Sequence, residues 1–379
     1  MSVAVQDWKP SDWRARPALQ QPDFADPAAA QRILADIAQR GPLVTAEECA
    51  ELRLACAAAA RGESFILQAG DCAESLDADP AQAADAMAAL IRRLAGRVPQ
   101  TVVPIGRIGG QFAKPRSASE EVREGRSLPV YRGDSINRLA FEESARAHDP
   151  SLLGAAHRHS SATIRHLRES RSGLFASHEA LVLAYEEALC FPDPDRRWWA
   201  GSGHMLWIGE RTRQVDGAHV AFAAGIANAV GVKCGPSLGS EELLRLADRL
   251  DPGREPGRLL LIARFGADSV ERGLAPLIRA ARSEGLAAAW MLDPMHGNTR
   301  RIGGRKQRRV ADMLAETKAF FALCRSEGVV PAGLHLEVTT GEAAECVGAD
   351  GIDPMADFPC DPRLTAAQAE LVIDTAMRC

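Results

Sequence analysis

Cys72, His296, Glu337 and Asp361 are a thiol, an imidazole and two carboxylates, each standing at or just past the end of a short apolar run or at a turn. Such a mixed soft and hard donor set suits a divalent transition ion, Mn²⁺ or Co²⁺ ahead of Zn²⁺ or Fe²⁺, whereas Ca²⁺ takes oxygen donors alone. Singly, each has a plainer reading. A lone cysteine is usually a small buried hydrophobe, His296 fits a loop histidine, Glu337 a solvated strand end, and Asp361 a turn residue before Pro362. The agreement of four such positions is what favours a site. A second group is cationic: Arg107, Arg211, Lys233 and Arg264 sit within or just after apolar runs, where uncompensated charge is costly. Fixed arginines suit phosphate and carboxylate groups, so the expected substrate is a small polyanion.

The elements that must position these residues are eight short apolar runs, at 65–68, 101–105, 174–177, 205–208, 230–233, 259–263, 287–292 and 334–338. Each is bounded by glycine, proline or polar residues, as strands are. Helical patterns separate most of them. Asp79 and Pro80 open one whose stripe is Met87, Leu90, Ile91 and Leu94, and Gly96 ends it. Ser240 is expected to cap another carrying Leu243, Ala247 and Leu250. The pattern over 308–325 carries Val310, Met313, Leu314, Phe321 and Cys324 before Gly328 stops it. This alternation predicts an α/β fold, a (β/α)8 TIM barrel whose chemistry lies at the C-terminal ends of its strands.

One domain is expected over 1–379: an N-terminal extension (1–64), the barrel (65–364) and a C-terminal helix (365–379). The extension holds a helix over 27–40 and another starting at Thr45, with Glu48 in capping-box register. These helices fit either a plug under the barrel or a subunit contact in a homodimer or homotetramer. Residues 110–173 form a long excursion between strands two and three, expected to fold over the mouth and then form a basic helix with Arg158, Arg165, Arg168 and Arg171. The basic run 300–309 reads equally as an exposed loop or a phosphate lid.

With 379 residues, 25% charged and a net charge of −5, nothing in the balance favours nucleic acid or an anionic membrane as partner. Nine cysteines without a C-x-x-C pair fit the reduced thiols of a cytoplasmic enzyme. No apolar run approaches the ~18 residues of a membrane span.

Longer motifs add a resemblance. They are Trp8-Lys9-Pro10, Gln68-Ala69-Gly70-Asp71-Cys72-Ala73-Glu74, Gly110-Gln111-Phe112-Ala113-Lys114-Pro115-Arg116-Ser117, Tyr131-Arg132-Gly133-Asp134, Trp207-Ile208-Gly209-Glu210-Arg211-Thr212-Arg213-Gln214 and Gly231-Val232-Lys233, followed by the stretches 293–299 and 360–364. In these the chain resembles, over nearly its whole length, the type II (plant-type) 3-deoxy-D-arabino-heptulosonate 7-phosphate (DAHP) synthases. The resemblance implies a metal-dependent condensation of phosphoenolpyruvate with erythrose 4-phosphate, releasing phosphate, at the entry to the shikimate pathway. It implies Cys72, His296, Glu337 and Asp361 as metal ligands. It implies Arg107, Lys114, Arg211, Lys233 and Arg264 as the phosphoenolpyruvate group, with Glu210 positioning water, and Arg116 and Ser117 as contacts for the aldose phosphate. Lys114, Glu210 and His296 are the expected catalytic residues.

Ala267 and Arg305-Lys306-Gln307-Arg308 depart from the family pattern near the aldose end. The short excursion resembles the short, secondary-metabolism (phenazine-type) members, which implies insensitivity to aromatic amino acids. Two alternatives stand beside this reading: an aminoDAHP synthase-like enzyme with the same enol donor and an imino sugar phosphate acceptor, and an inactive relative that binds a chorismate mutase.

Overall fold

The structure is a computed structural model that describes residues 8–303, 305–349, 351, 358 and 360–379. The expected extension, basic run and barrel therefore include residues (1–7, 304, 350, 352–357 and 359) that lie outside the described ones. Eight parallel strands close into a barrel: β1 (Ser64–Gly70), β2 (Thr101–Arg107), β3 (Phe175–Glu179), β4 (Met205–Ile208), β5 (Ala229–Cys234), β6 (Leu259–Ala263), β7 (Ala288–Leu292) and β8 (Pro331–Glu337). Sequence order is spatial order, and β8 closes on β1 with Gln68 opposite His335 and Gly70 opposite Glu337. Every run expected to be a strand is one. The largest boundary shift is in β8, which starts at Pro331 rather than 334; proline is tolerated at a strand's first residue.

Around the barrel lie α1 (Pro27–Arg40), α2 (Ala46–Ala60), α3 (Pro80–Ala95), α4 (Ser151–Glu169), α5 (Ala218–Gly225), α6 (Ser240–Leu250), α7 (Val270–Ser283), α8 (Val310–Ser326) and α9 (Ala366–Arg378). Alternation along each strand sends one set of side chains outward, where Phe65, Leu67, Leu259 and Leu261 join the helices in one cluster. The other set, including Ile66, Val103, Ile105, Met205, Leu260, Ile262 and Met291, fills the barrel interior.

Leu52, Cys56 and Ala59 of α2 belong to that interior cluster, so α2 plugs the barrel bottom. Its Thr45–Glu48 capping box forms as expected. Ser240 does not cap α6: its hydroxyl turns instead to the Pro276 carbonyl at 3.2 Å, and Gly239 takes the cap position. In the excursion, residues 110–117 run along the mouth and 120–129 fold into an antiparallel hairpin. The buried Arg146 guanidinium donates to the carbonyls of Pro129, Leu139 and Ala140 and to Glu121, which fixes that hairpin. The basic helix follows as α4, and Arg171 lies past its end.

Where β8 meets β1 the backbones come so close that a Cβ on Gly333 would stand 2.3 Å from the Ile66 carbonyl oxygen. Gly333→Ala is therefore expected to destabilise the barrel by about 3 kcal/mol, measured by denaturant unfolding; unchanged stability would contradict this packing.

Candidate active site

At the mouth, the ligand atoms of Cys72, Glu337 and Asp361 lie within 4.8 Å of one another. Cys72 Sγ is 3.8 Å from Asp361 Oδ2. His296 stands at the edge of this group, its Nε2 3.4 Å from Glu337 Oε1. Its Nδ1 donates to Asp293 Oδ2 at 2.6 Å, which leaves Nε2 as the ring atom turned toward the cluster. Three of the four expected ligands thus form one group, and the fourth joins through Glu337.

The group is assembled from both ends of the chain. Glu337 ends β8 and Cys72 follows β1, while Asp361 arrives on a return segment pinned by Arg363, whose guanidinium binds Asp71 at 2.5 Å and Glu345 at 3.0 Å. Cys360 packs with Cys72 and Tyr131, and Cys346 donates to the Arg363 carbonyl.

Glu337 is fully buried. It accepts from Arg107 Nη2 at 2.9 Å, Lys114 Nζ at 3.2 Å and Arg308 Nη1 at 2.7 Å. Burial alone would push its carboxyl up, but Lys114, His296, Arg308 and Arg107 hold it well below the usual range. Burial likewise opposes the Lys114 charge, yet Cys72, Glu337 and Asp361 keep its pKa well above the ordinary lysine value. The Cys72 thiol is pushed up, first by burial and then by Cys360 and Glu337.

The first part of the basic run is exposed, as one of the two expectations had it, and its second part turns inward. Its strands, Arg300–Ile302 and Arg305–Gln307, pair antiparallel, and Lys306 Nζ reaches Asp361 Oδ1 at 2.5 Å. Arg308 is buried against Glu337, Thr299 Oγ1 and the Pro362 carbonyl. The two residues are spaced by two, the period at which an extended chain presents side chains to one face. That spacing was the available signal.

The cationic group gathers at the same mouth, each member with a partner. Lys233 pairs with Asp293 and Arg264 with Glu210. Arg211 Nη2 donates to Ser117 Oγ at 2.6 Å. The main chain of Arg116 is clamped on both sides by the Gln20 side chain, at 2.9 and 3.1 Å. Arg107 belongs with Glu337 as much as with this group.

Three residues escaped sequence reasoning. Glu179, the last residue of β3, has a buried Oε1 without a hydrogen-bond partner among the described residues; burial raises its pKa, with Lys114 and Lys233 pulling the other way. His335 lies between Arg107 and Gln68. Arg107 can only donate, so His335 Nε2 accepts and Nδ1–H donates to Gln68 Oε1 at 2.6 Å. Burial, Lys233 and Arg107 keep that imidazole neutral. Glu74 accepts the main-chain N–H groups of Gly109, Gly110 and Gln111 at 2.7 to 3.0 Å, which shapes the loop leading to Lys114.

The chain matches the sequence profile of the Class-II DAHP synthetase family over residues 8–175 and 169–376. It is 39% identical over 427 aligned positions to the phospho-2-dehydro-3-deoxyheptonate aldolase of Streptomyces coelicolor, covering 94% of each chain. A Pseudomonas fluorescens protein named "Probable phospho-2-dehydro-3-deoxyheptonate aldolase" is 42% identical over 370 positions, covering 93% of this chain and 92% of that one. The phospho-2-dehydro-3-deoxyheptonate aldolase of Neurospora crassa is 33% identical over 444 positions, covering 96% and 92%. Among solved structures, the phospho-2-dehydro-3-deoxyheptonate aldolase of Francisella tularensis SCHU S4 superposes with a TM-score of 0.56 at 15% identity, over 91% of this chain and 97% of that one, a likeness of fold.

Because Arg363 alone ties the return segment to both Asp71 and Glu345, Arg363→Met is expected to loosen it and uncover the buried Cys72 and Cys360. Labelling by a thiol reagent under native conditions should accelerate about tenfold or more. An unchanged rate would show that the segment is held by other contacts.

Proposed function

The chain belongs to the Class-II DAHP synthetase family and is a transferase, and from that premise we propose that it condenses phosphoenolpyruvate with erythrose 4-phosphate with the help of one divalent transition ion. The observation that carries this is the juxtaposition of Cys72, Glu337 and Asp361 with a mouth lined by paired lysines and arginines. The donor set fits a borderline ion: one thiol, two carboxylates and an imidazole whose Nε2 is turned toward them. Three of the four have a supporting contact, Asp293 for His296, Arg308 for Glu337 and Lys306 for Asp361. When bound there, the ion supplies Lewis-acid polarisation of the aldehyde oxygen.

The remaining work falls to side chains. Arg107, Arg211, Lys233 and Arg264 hold the phosphate and carboxylate of the enol donor, so that its methylene carbon faces the aldehyde carbon and the new carbon–carbon bond forms there. Two anionic substrates repel each other, and fixed cations bring them together without reorganising. Lys114 holds a proton at Nζ beside Glu337, where it balances the oxygen anion that develops. Glu210, oriented by Arg264 and by Ser237 at 3.1 Å, positions the water that adds to the second carbon. The phosphate then leaves with the carbon–oxygen bond. Arg116 and Ser117, with Arg211 bracing Ser117, receive the aldose phosphate.

We further propose that the chain is of the short kind and unresponsive to aromatic amino acids. The alignment with the Streptomyces relative is 427 positions long, against 370 with the Pseudomonas one, for nearly the same share of this chain; this supports insertions in the longer relative that this chain lacks. Phenylalanine, tyrosine or tryptophan at millimolar concentration is expected to leave the rate unchanged, and strong inhibition by any one would refute the short-form reading.

Cys72→Ser is expected to lower bound metal and activity by about two orders of magnitude with the barrel's circular dichroism intact, and product should be identified by mass spectrometry with erythrose 4-phosphate and its imino analogue supplied together. Retained metal and activity would sink the ligand assignment. Burial pushes the Lys233 ammonium down to about 8, with Asp293 opposing. A depressed lysine is charged below its pKa and neutral above it, so KM for phosphoenolpyruvate should rise as pH passes from about 7 to about 9. Lys233→Met should show a high KM without that rise; a flat wild-type profile would count against Lys233 as an anion contact.

A further inference from the structure

α8 buries Glu316 completely, and a carboxylate in that position is costly unless every lone pair is used. Its Oε1 accepts from the main-chain N–H groups of Phe265 at 2.9 Å and Gly266 at 2.8 Å, in the loop after β6. Its Oε2 accepts from Asn298 Nδ2 at 2.7 Å, in the loop after β7. Asn298 is itself committed: Nδ2 also donates to the Pro294 carbonyl at 2.7 Å, and Oδ1 accepts from Ala267 N at 3.0 Å. The network therefore assigns the orientation of the Asn298 amide, because turning it over would break all three bonds.

The two loops tied by Glu316 also touch backbone to backbone. A Cβ on Gly297 would lie 2.3 Å from Gly266 N, and one on Gly266, at φ +87°, would lie 2.8 Å from the Gly297 oxygen. Arg264 stands at the root of the first loop, and Asp293 and His296 belong to the second. We propose that Glu316 is a positioning residue that couples Arg264, on the substrate side, to His296, on the metal side, through its single carboxylate. The proposal rests on the reading that both side chains serve the one reaction. Glu316 has no hydrogen bond or ion pair with the expected ligands or substrate residues among the described residues, so apart from its charge, which Arg264 feels at a distance, its influence passes through the loops.

Substitution can cut one arm and spare the other. In Glu316→Gln the amide oxygen still accepts from Phe265 and Gly266, but its NH₂ faces Asn298 Nδ2, donor against donor. Asn298→Asp sets two carboxylates against each other. The double variant E316Q/N298D restores a donor–acceptor pair in the reversed sense.

Each protein would be titrated with Co²⁺, following the thiolate-to-cobalt absorption band, then assayed with Mn²⁺ for kcat and KM and melted. Glu316→Gln is expected to weaken Co²⁺ binding and lower kcat/KM, each about tenfold or more, with Tm within about 5 °C of the parent. E316Q/N298D should recover a large part of both losses. Values within about twofold of the parent in Glu316→Gln would overturn the coupling, as would losses that follow a collapse in Tm, or a double variant no better than Asn298→Asp alone, since those two equally lack the bond to the Pro294 carbonyl. If the parent binds Co²⁺ but forms no product from phosphoenolpyruvate and erythrose 4-phosphate, the functional reading fails, and the Co²⁺ titrations of the variants still decide the coupling.

Discussion

The carboxylate of Glu337 is the constraint on which the mouth of this barrel depends. A charge taken fully out of water loses several kcal/mol of solvation, and only close, well-aligned partners restore it. Here the partners come from separate stretches of chain: Arg107 from β2, Lys114 from the excursion, Arg308 from beyond the 300–307 hairpin, and His296 from the β7 loop. Each needs Glu337 as much as Glu337 needs it, since each is itself largely withdrawn from solvent. With Lys306 on Asp361, four cationic side chains face two carboxylates at this spot among the described residues. A small polyanion is the natural counter-ion for such a place.

The mouth is held from below and from the rim. Below it, Ser177 donates to the Gly106 carbonyl and accepts from Gln68, which accepts from His335, which accepts from Arg107. Each link fixes the donor sense of the next, so the Arg107 guanidinium cannot swing without breaking a buried chain. At the rim, Gln20 and Gln21 of the extension bond to Arg116, Leu181 and Leu183, drawing a segment far away in sequence against the 110–117 loop. The result is a set of charges oriented before any substrate arrives, which is the condition for electrostatic stabilisation without reorganisation.

The barrel was legible because its signals are local. Buried parallel strands read as short apolar runs, and runs such as 205–208 and 259–263 coincide with β4 and β6 as observed. Thr45 and Glu48 announce a capping box by spacing alone. The expected site residues were legible because barrel chemistry sits at strand ends, so a reader who finds the strands knows where to look. What stayed hidden is pairing at a distance. Nothing near Arg308 in sequence says that it is buried against Glu337, and Glu316 sits in an ordinary amphipathic helix whose stripe gives no sign that this glutamate faces inward. His335 is silent in the sequence for the same reason, since its partners are an arginine and a glutamine on other strands. Ser240 misled for the opposite reason: a favoured capping residue found a better acceptor in the carbonyl of Pro276, across the interface with the next helix.

The bond between Arg363 and Asp71 joins residues 292 positions apart, and Cys72 meets Asp361 only because of that closure. During synthesis, Cys72 emerges 289 residues before its carboxylate partner Asp361. Until β8 emerges, β1 remains an open sheet edge, and until Asp361 follows, the Cys72 thiol lacks neighbours that bury it. Emergence of β8 thus closes the seam, and the segment carrying Asp361, which follows it, creates the donor set, so a chain cut between Glu337 and Asp361 would keep the seam and lack the site.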